Sequence, residues 1–200
     1  MIIFQYAPEI LDTYPDIVGG VIFAQGLSNS ETSHTLLNFY EAEQVAVKKR
    51  IGNTPLSEIE PLSAWRRAFK TFSVDPTKYR SAAESLLRRL TKKGDIPSIN
   101  TLVDIGNLVS IRYGLPVAVF DTRQIQRTIS VHPAKGTETY RELDNEQVIH
   151  PDVGEVIFSD EDDMVIARRW CWRQSDESAA RLDTTNAIIT VEAHHPDGHA

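Results

Sequence analysis

The chain has 200 residues, 41% hydrophobic and 24% charged, with 10 Gly and 10 Pro, an ordinary globular balance far from that of disordered chains. Its single cysteine, Cys171, excludes an internal disulfide framework and a zinc site built on thiolates, and it points to a reducing, cytoplasmic setting. Lys and Arg number 21 and Asp and Glu 28, a formal charge of -7, which as a bare total argues against a nucleic-acid partner. The longest apolar stretches, such as Ala187 to Val191, are far too short to span a membrane, and the opening Met1 to Tyr6 lacks the positive flank of a signal peptide.

Short strands are predicted at Ile2 to Tyr6 and Gly20 to Ala24, with a helix within Ser33 to Arg50. Next comes a basic segment. From Arg66 to Lys93 nine Lys or Arg face only Asp75 and Glu84, a net of +7, so the remainder of the chain is strongly acidic. Trp65, Phe69 and Phe72 fall on one face of a helix starting near Ser63, which Asp75-Pro76 breaks. The next helix opens on Ser81-Ala82-Ala83-Glu84, a capping box, and ends on Arg88, Arg89, Lys92, Lys93 and Gly94, where the helix dipole favours cations. These cations therefore read equally as helix-end chemistry on a solvated face. A third helix over Ile99 to Tyr113 has apolar residues around most of its circumference and should be buried nearly all round. Asp104 and Asn107 lie three apart on it, sharing a face, and either bond neighbouring loops or line a pocket.

Beyond Gly114 the texture changes to strands at Pro116 to Phe120, Thr128 to His132, Glu155 to Ser159, Met164 to Trp172 and Asn186 to Ala193. Helices and strands do not alternate, so the expected class is α+β: a single domain with helices packed on a mixed, largely antiparallel sheet system. Nucleotide-binding glycine loops, zinc-protease helices and serine-hydrolase elbows are absent. His194, His195 and His199 superficially suggest a metal site, but a polar end reads more simply as flexible, and no metal is expected. Strand alternation over Arg168-Arg169-Trp170-Cys171-Trp172-Arg173 would place Arg169, Cys171 and Arg173 on one side and Arg168, Trp170 and Trp172 on the other. Guanidinium groups beside indoles suit an anionic or stacked ligand, or simply a cation-π ladder. Cys171 reads as a small buried hydrophobe, although the neighbouring arginines could activate it.

Taken in order, Trp65-Arg66-Arg67-Ala68-Phe69, Glu84-Ser85-Leu86-Leu87-Arg88-Arg89, Pro97-Ser98-Ile99-Asn100, Leu102-Val103-Asp104-Ile105-Gly106-Asn107, Gly114-Leu115-Pro116, Gly154-Glu155-Val156 and Arg168 to Arg173 resemble a free-standing B3/4 domain. This family is related to the editing module of the bacterial phenylalanyl-tRNA synthetase β subunit, which hydrolyses tyrosine wrongly attached to phenylalanine tRNA. The resemblance spans roughly Pro61 to Ala193. It implies a core over 61–193, an N-terminal extension over 1–60 packed on the same domain, and a flexible end over 194–200.

As function it implies a deacylase acting in trans on mischarged tRNA, without cofactor, without membrane or DNA as partner, and with a transient contact to a synthetase. The same residues could instead form a noncatalytic module binding tRNA or an amino-acid-like metabolite. Asn107 corresponds to a pocket Asn and Glu192 to the editing-site Glu, with Asp104 supporting them as the third member of the catalytic set. Ala118 stands where the synthetase segment has a His, and Arg168 to Arg173 stand where it has glycines. Arg169, Arg173, Trp170, Trp172 and Ala118 are accordingly expected on the substrate, and Arg66, Arg67, Lys70, Arg88, Arg89, Lys92 and Lys93 on RNA.

Overall fold

The computed structural model of the chain describes residues 2–199. In chain order the elements are β1 (Ile3–Tyr6), α1 (Pro8–Thr13), β2 (Val18–Gln25), α2 (His34–Ile51), α3 (Glu60–Thr71), α4 (Ala82–Lys93), α5 (Thr101–Tyr113), β3 (Val117–Asp121), β4 (Thr128–Pro133), β5 (Tyr140–Arg141), β6 (Val148–Ile149), β7 (Val156–Ser159), β8 (Val165–Arg168), β9 (Arg173–Gln174) and β10 (Asn186–Ala193). The fold is α+β. A five-stranded sheet runs β1-β4-β7-β8-β9, with β1 parallel to β4 and its other pairs antiparallel. An antiparallel sheet runs β2-β10-β3, and β5 pairs with β6. Residues 1–60 thus supply one edge strand to each of the two larger sheets.

Local chemistry sets the helix ends. Ser33, Ser81 and Asn100 accept the backbone N–H of Leu36, Glu84 and Val103, which caps α2, α4 and α5. Gly94 and Gly114 close α4 and α5 in the left-handed conformation, at φ of 94° and 70°. Helix α3 starts three residues before the predicted Ser63, because Pro61 occupies its first turn, where the missing N–H is no loss. The capping box at Ser81 is half formed: the Glu84 carboxylate turns away to take Arg66 at 2.7 Å and Arg80 at 3.7 Å. Helix α5 packs on α2, α4 and β3 but is not buried all round, since Ile105 on its outer face is 42% exposed.

Two cores result. Ile129, Val131, Phe158 and Ile166 from the larger sheet meet Phe120 and Ile188 from the smaller, with Trp65 and Phe69 of α3 closing the layer. Tyr40, Val47, Leu62, Leu87, Leu90 and Ile111 form the second core among α2 to α5. The predicted strand from Met164 to Trp172 is corrected here: β8 ends at Arg168, and Arg169 and Trp170 turn through φ of 44° and 62° before β9 begins. Alternation fails because a left-handed pair reverses the chain.

A buried fork anchors this turn. Arg168 donates from Nε and Nη2 to the two oxygens of Glu155 at 2.9 and 2.6 Å, while the Arg169 N–H donates to Glu155 Oε1 at 3.0 Å. Removing one member of a desolvated pair strands the other charge. Arg168→Met should therefore cost about 3–5 kcal/mol in urea unfolding, and the Glu155→Gln, Arg168→Met double variant less than the two single losses combined.

Candidate functional site

A cavity of about 620 Å³ opens where the smaller sheet meets α4, α5 and the turn after β8. Strand β10 brings Thr190 and Glu192 to it on one face, two residues apart. The register pairs Thr190 with Ala118 of β3, so Ala118 lies beside them. From α5, Val103, Gly106 and Asn107 share a helical stripe. A Cβ on Gly106 would stand 3.1 Å from Val119, so glycine lets α5 sit close on β3 and carries Asn107 to the cavity. Helix α4 adds Ala82, Ser85, Leu86 and Arg89 along one face, and the turn adds Trp170, Cys171, Trp172 and Arg173. Much of the remaining wall is apolar, including Val117, Val119, Phe120 and Phe158, and the exposed Arg89 and Arg173 mark the solvent side.

Glu192 is the chemically distinctive member. It is 3% exposed, and its Oε1 accepts the Tyr6 hydroxyl at 2.7 Å and the Trp170 indole N–H at 3.0 Å. Among the described residues no cation pairs with it. Burial disfavours the anion more than the two donors favour it, so the carboxyl is pushed up to about 7. The same burial raises the Cys171 thiol well above the ordinary range, so it is a neutral wall of the cavity rather than a thiolate.

The cavity gathers Asn107, Glu192, Ala118, Trp170, Trp172, Arg173 and Arg89. It does not gather Asp104, which turns to the loops instead, accepting Ser98 Oγ, Thr32 Oγ1 at 2.6 Å and the Ile99 N–H at 2.9 Å. The shared face expected for Asp104 and Asn107 therefore divides between two surroundings. Arg169 is also outside: it lies over the rings of Tyr79 and Trp172, at 3.9 and 4.7 Å, and binds Asp152 at 3.2 Å. Arg173 pairs with Glu142. Of the basic residues, Arg66 is tied to Glu84, Arg67 to Glu60 at 2.9 Å, and Arg89 to Asp95 at 3.6 Å. Lys70, Arg88, Lys92 and Lys93 are exposed.

The His194 ring stands edge-on to Trp65 at 4.4 Å and to Trp170 at 4.9 Å, and burial pushes its imidazole down to about 4. Residue 200 and the His199 side chain lie outside the described residues. Among the described residues no three His, Cys, Asp or Glu side chains form a metal-holding group, and no helix is long and apolar enough to cross a membrane. Sequence reasoning missed Tyr6, Thr190 and Gln174. The first had no signal beyond a strand pattern, although the Gly19-Gly20 pair beneath it is the kind that marks a close backbone approach.

A family model for the B3/4 domain matches residues 64–198, well over half of the chain. The chain belongs to the B3/4 domain family. A phenylalanine-tRNA ligase beta subunit from Staphylococcus haemolyticus is 29% identical over 178 residues, covering 83% of this chain and 21% of that protein. The Staphylococcus epidermidis counterpart is 48% identical over 60 residues, 30% of this chain and 7% of that one. This B3/4 chain thus spans about a fifth of the length of the first relative. An N-terminal fragment of the phenylalanyl-tRNA synthetase beta subunit from Pyrococcus horikoshii aligns over 98% of this chain and 44% of its own, at TM-score 0.46 and 11% identity.

Buried Glu192 and half-buried His194 of this B3/4 domain shift stability with pH in opposite directions. Glu192, raised from about 4.5 to about 7, favours the folded state when protonated, so its contribution is complete below 4.5 and lost as pH rises through 7. His194, lowered from about 6.5 to about 4, contributes fully above 6.5 and loses that contribution as pH falls toward 4. In the wild type the two offset between roughly pH 4.5 and 6.5. Glu192→Gln should expose the histidine alone: urea unfolding free energy relative to wild type should rise by about 3 kcal/mol between pH 4.5 and 8. A pH-independent difference would show that Glu192 titrates normally.

Proposed function

We propose that this B3/4 domain hydrolyses the ester of a mischarged tRNA. The observation that carries the reading is the convergence of Asn107 from α5 and Glu192 from β10 on one largely apolar cavity, with Arg89 and Arg173 at its solvent side. An aminoacyl ester is already activated, so orientation, a carbonyl donor and a positioned water supply the chemistry without a covalent nucleophile. The apolar wall takes the amino-acid side chain, and the exposed cations take the phosphates of the tRNA end.

Glu192, titrating near neutrality, is suited to accept a proton from water as its oxygen attacks the carbonyl carbon. The Asn107 amide donates to the oxyanion that forms. Collapse breaks the bond to the ribose oxygen, which takes the proton back from Glu192 and leaves as a hydroxyl, while the amino acid leaves as a carboxylic acid that gives its remaining proton to solvent. Asp104 acts on this site through the start of α5, which it fixes to the loops carrying Thr32 and Ser98.

The test is release of amino acid from a panel of mischarged tRNAs. Glu192→Ala and Asn107→Ala should each slow release on the order of 100-fold with unchanged circular dichroism. Saturable tRNA binding with no release across the panel would replace this reading with a noncatalytic module. Reversing Arg88, Arg89, Lys92 and Lys93 to Glu should weaken tRNA binding and flatten its dependence on salt. Unchanged affinity would leave those cations as a solvated helix end.

A further inference from the structure

We propose that Tyr6 is a positioning residue for Glu192, so that strands β1 and β2, which precede the family-matched residues 64–198, set the working geometry of the cavity. Tyr6 belongs to the five-stranded sheet, held beside Val131 of β4, and its Ala7 neighbour donates to the Val131 carbonyl at 2.9 Å. Its side chain nevertheless crosses to the other sheet, where the hydroxyl donates to Glu192 Oε1 at 2.7 Å. Trp170 donates to the same oxygen at 3.0 Å. One oxygen therefore carries both donors, and among the described residues Oε2 has no protein partner. A carboxylate held by one oxygen from two directions cannot swing freely, and its other oxygen is left for whatever enters the cavity that Glu192 lines.

Strand β2 makes room for this crossing. Gly19 lies opposite Glu192 in the antiparallel register, and a Cβ there would stand 2.3 Å from the Tyr6 hydroxyl oxygen. The glycine is required by the ring above it, not by its own backbone angle, since it is not among the left-handed glycines. Other groups near Glu192 do not compete for a proton at neutral pH. The Tyr6 phenol is pushed up by burial and by the carboxylate, and the Cys171 thiol is also pushed up. Helix α3 presents the Trp65 indole to the Glu192 carbonyl at 3.3 Å, and the charged form of His194, two residues along, is suppressed by burial.

The geometry of Glu192 stands by itself, and only its catalytic consequence rests on the function proposed above. In the full chain labelled with ¹³C-glutamate, the Glu192 carboxyl resonance, assigned with Glu192→Gln, is followed across pH. Tyr6→Phe keeps the ring and removes the donor, so the Glu192 midpoint should move upward by about half a unit or more. Gly19→Ala, an exposed edge-strand substitution, should move it the same way by displacing the hydroxyl. Should Gly19→Ala unfold the chain, the conservative Tyr6→Phe decides alone. A lowered melting temperature with an unmoved Glu192 midpoint in Tyr6→Phe would make Tyr6 a packing residue and overturn the proposal. A shifted midpoint in a protein that releases no amino acid from any mischarged tRNA would uphold it while defeating the deacylase reading.

Discussion

Glu192 is buried with one oxygen accepting from Tyr6 and from Trp170, and each donor is fixed by a different part of the molecule. Tyr6 is held by the pairing of β1 with β4. Trp170 is held by its N–H to the Val156 carbonyl at 2.6 Å and by edge-on contacts with Trp65 at 5.4 Å and Tyr14 at 4.9 Å. A carboxyl desolvated to this degree needs a cation or several donors to remain ionised at low pH. Two neutral donors on one oxygen are not enough, and the result is a group whose proton is exchangeable near neutrality. Both sheets, α3 and the turn after β8 must all be in place for that environment to exist.

The turn itself carries local strain. Arg169 and Trp170 both adopt positive φ, which costs a non-glycine residue about 1–2 kcal/mol. Contacts outside the backbone hold them there. Arg169 is clamped by Asp152 and by the faces of Tyr79 and Trp172, and Trp170 is wholly buried. Burial of an indole alone is worth more than the strain. Bulky residues thus occupy a reversal that glycine would take without strain, and in return they build one wall of the cavity from a tryptophan, a cysteine and a second tryptophan.

This also explains what was and was not legible in the sequence. Helices α4 and α5 announce themselves through Ser81, Asn100, Gly94 and Gly114, and β10 matches its predicted bounds because Val and Ile dominate it between polar ends. Left-handed turns are normally read from Gly, Asn or Asp, so an Arg-Trp pair in that conformation gives no warning. Helical spacing places Asp104 and Asn107 on one face, but it does not say that Thr32, far off in sequence, and Ser98, in the loop leading into α5, claim the first and leave the second to the cavity. Tyr6 was invisible for a related reason: its partner lies at the opposite end of the chain, and nothing local records that contact.

The distribution of charge acquires a sharper meaning once the ion pairs are known. Within the +7 segment between Arg66 and Lys93, Arg66 is tied to the buried Glu84, while Arg67 and Arg89 pair at the surface with Glu60 and Asp95. Exposed cations persist most densely at the end of α4, as Arg88, Lys92 and Lys93, and the same helix lines the cavity through Ala82, Ser85, Leu86 and Arg89. Carbonyl ends of that helix add a partial negative charge there, which holds the lysines in place without cancelling them. Elsewhere the surface is acidic enough to repel a long polyanion. On the proposed reading, a tRNA is therefore attracted over a short patch beside the cavity and repelled over most of the remaining surface, so contact favours the acylated end over the body of the molecule.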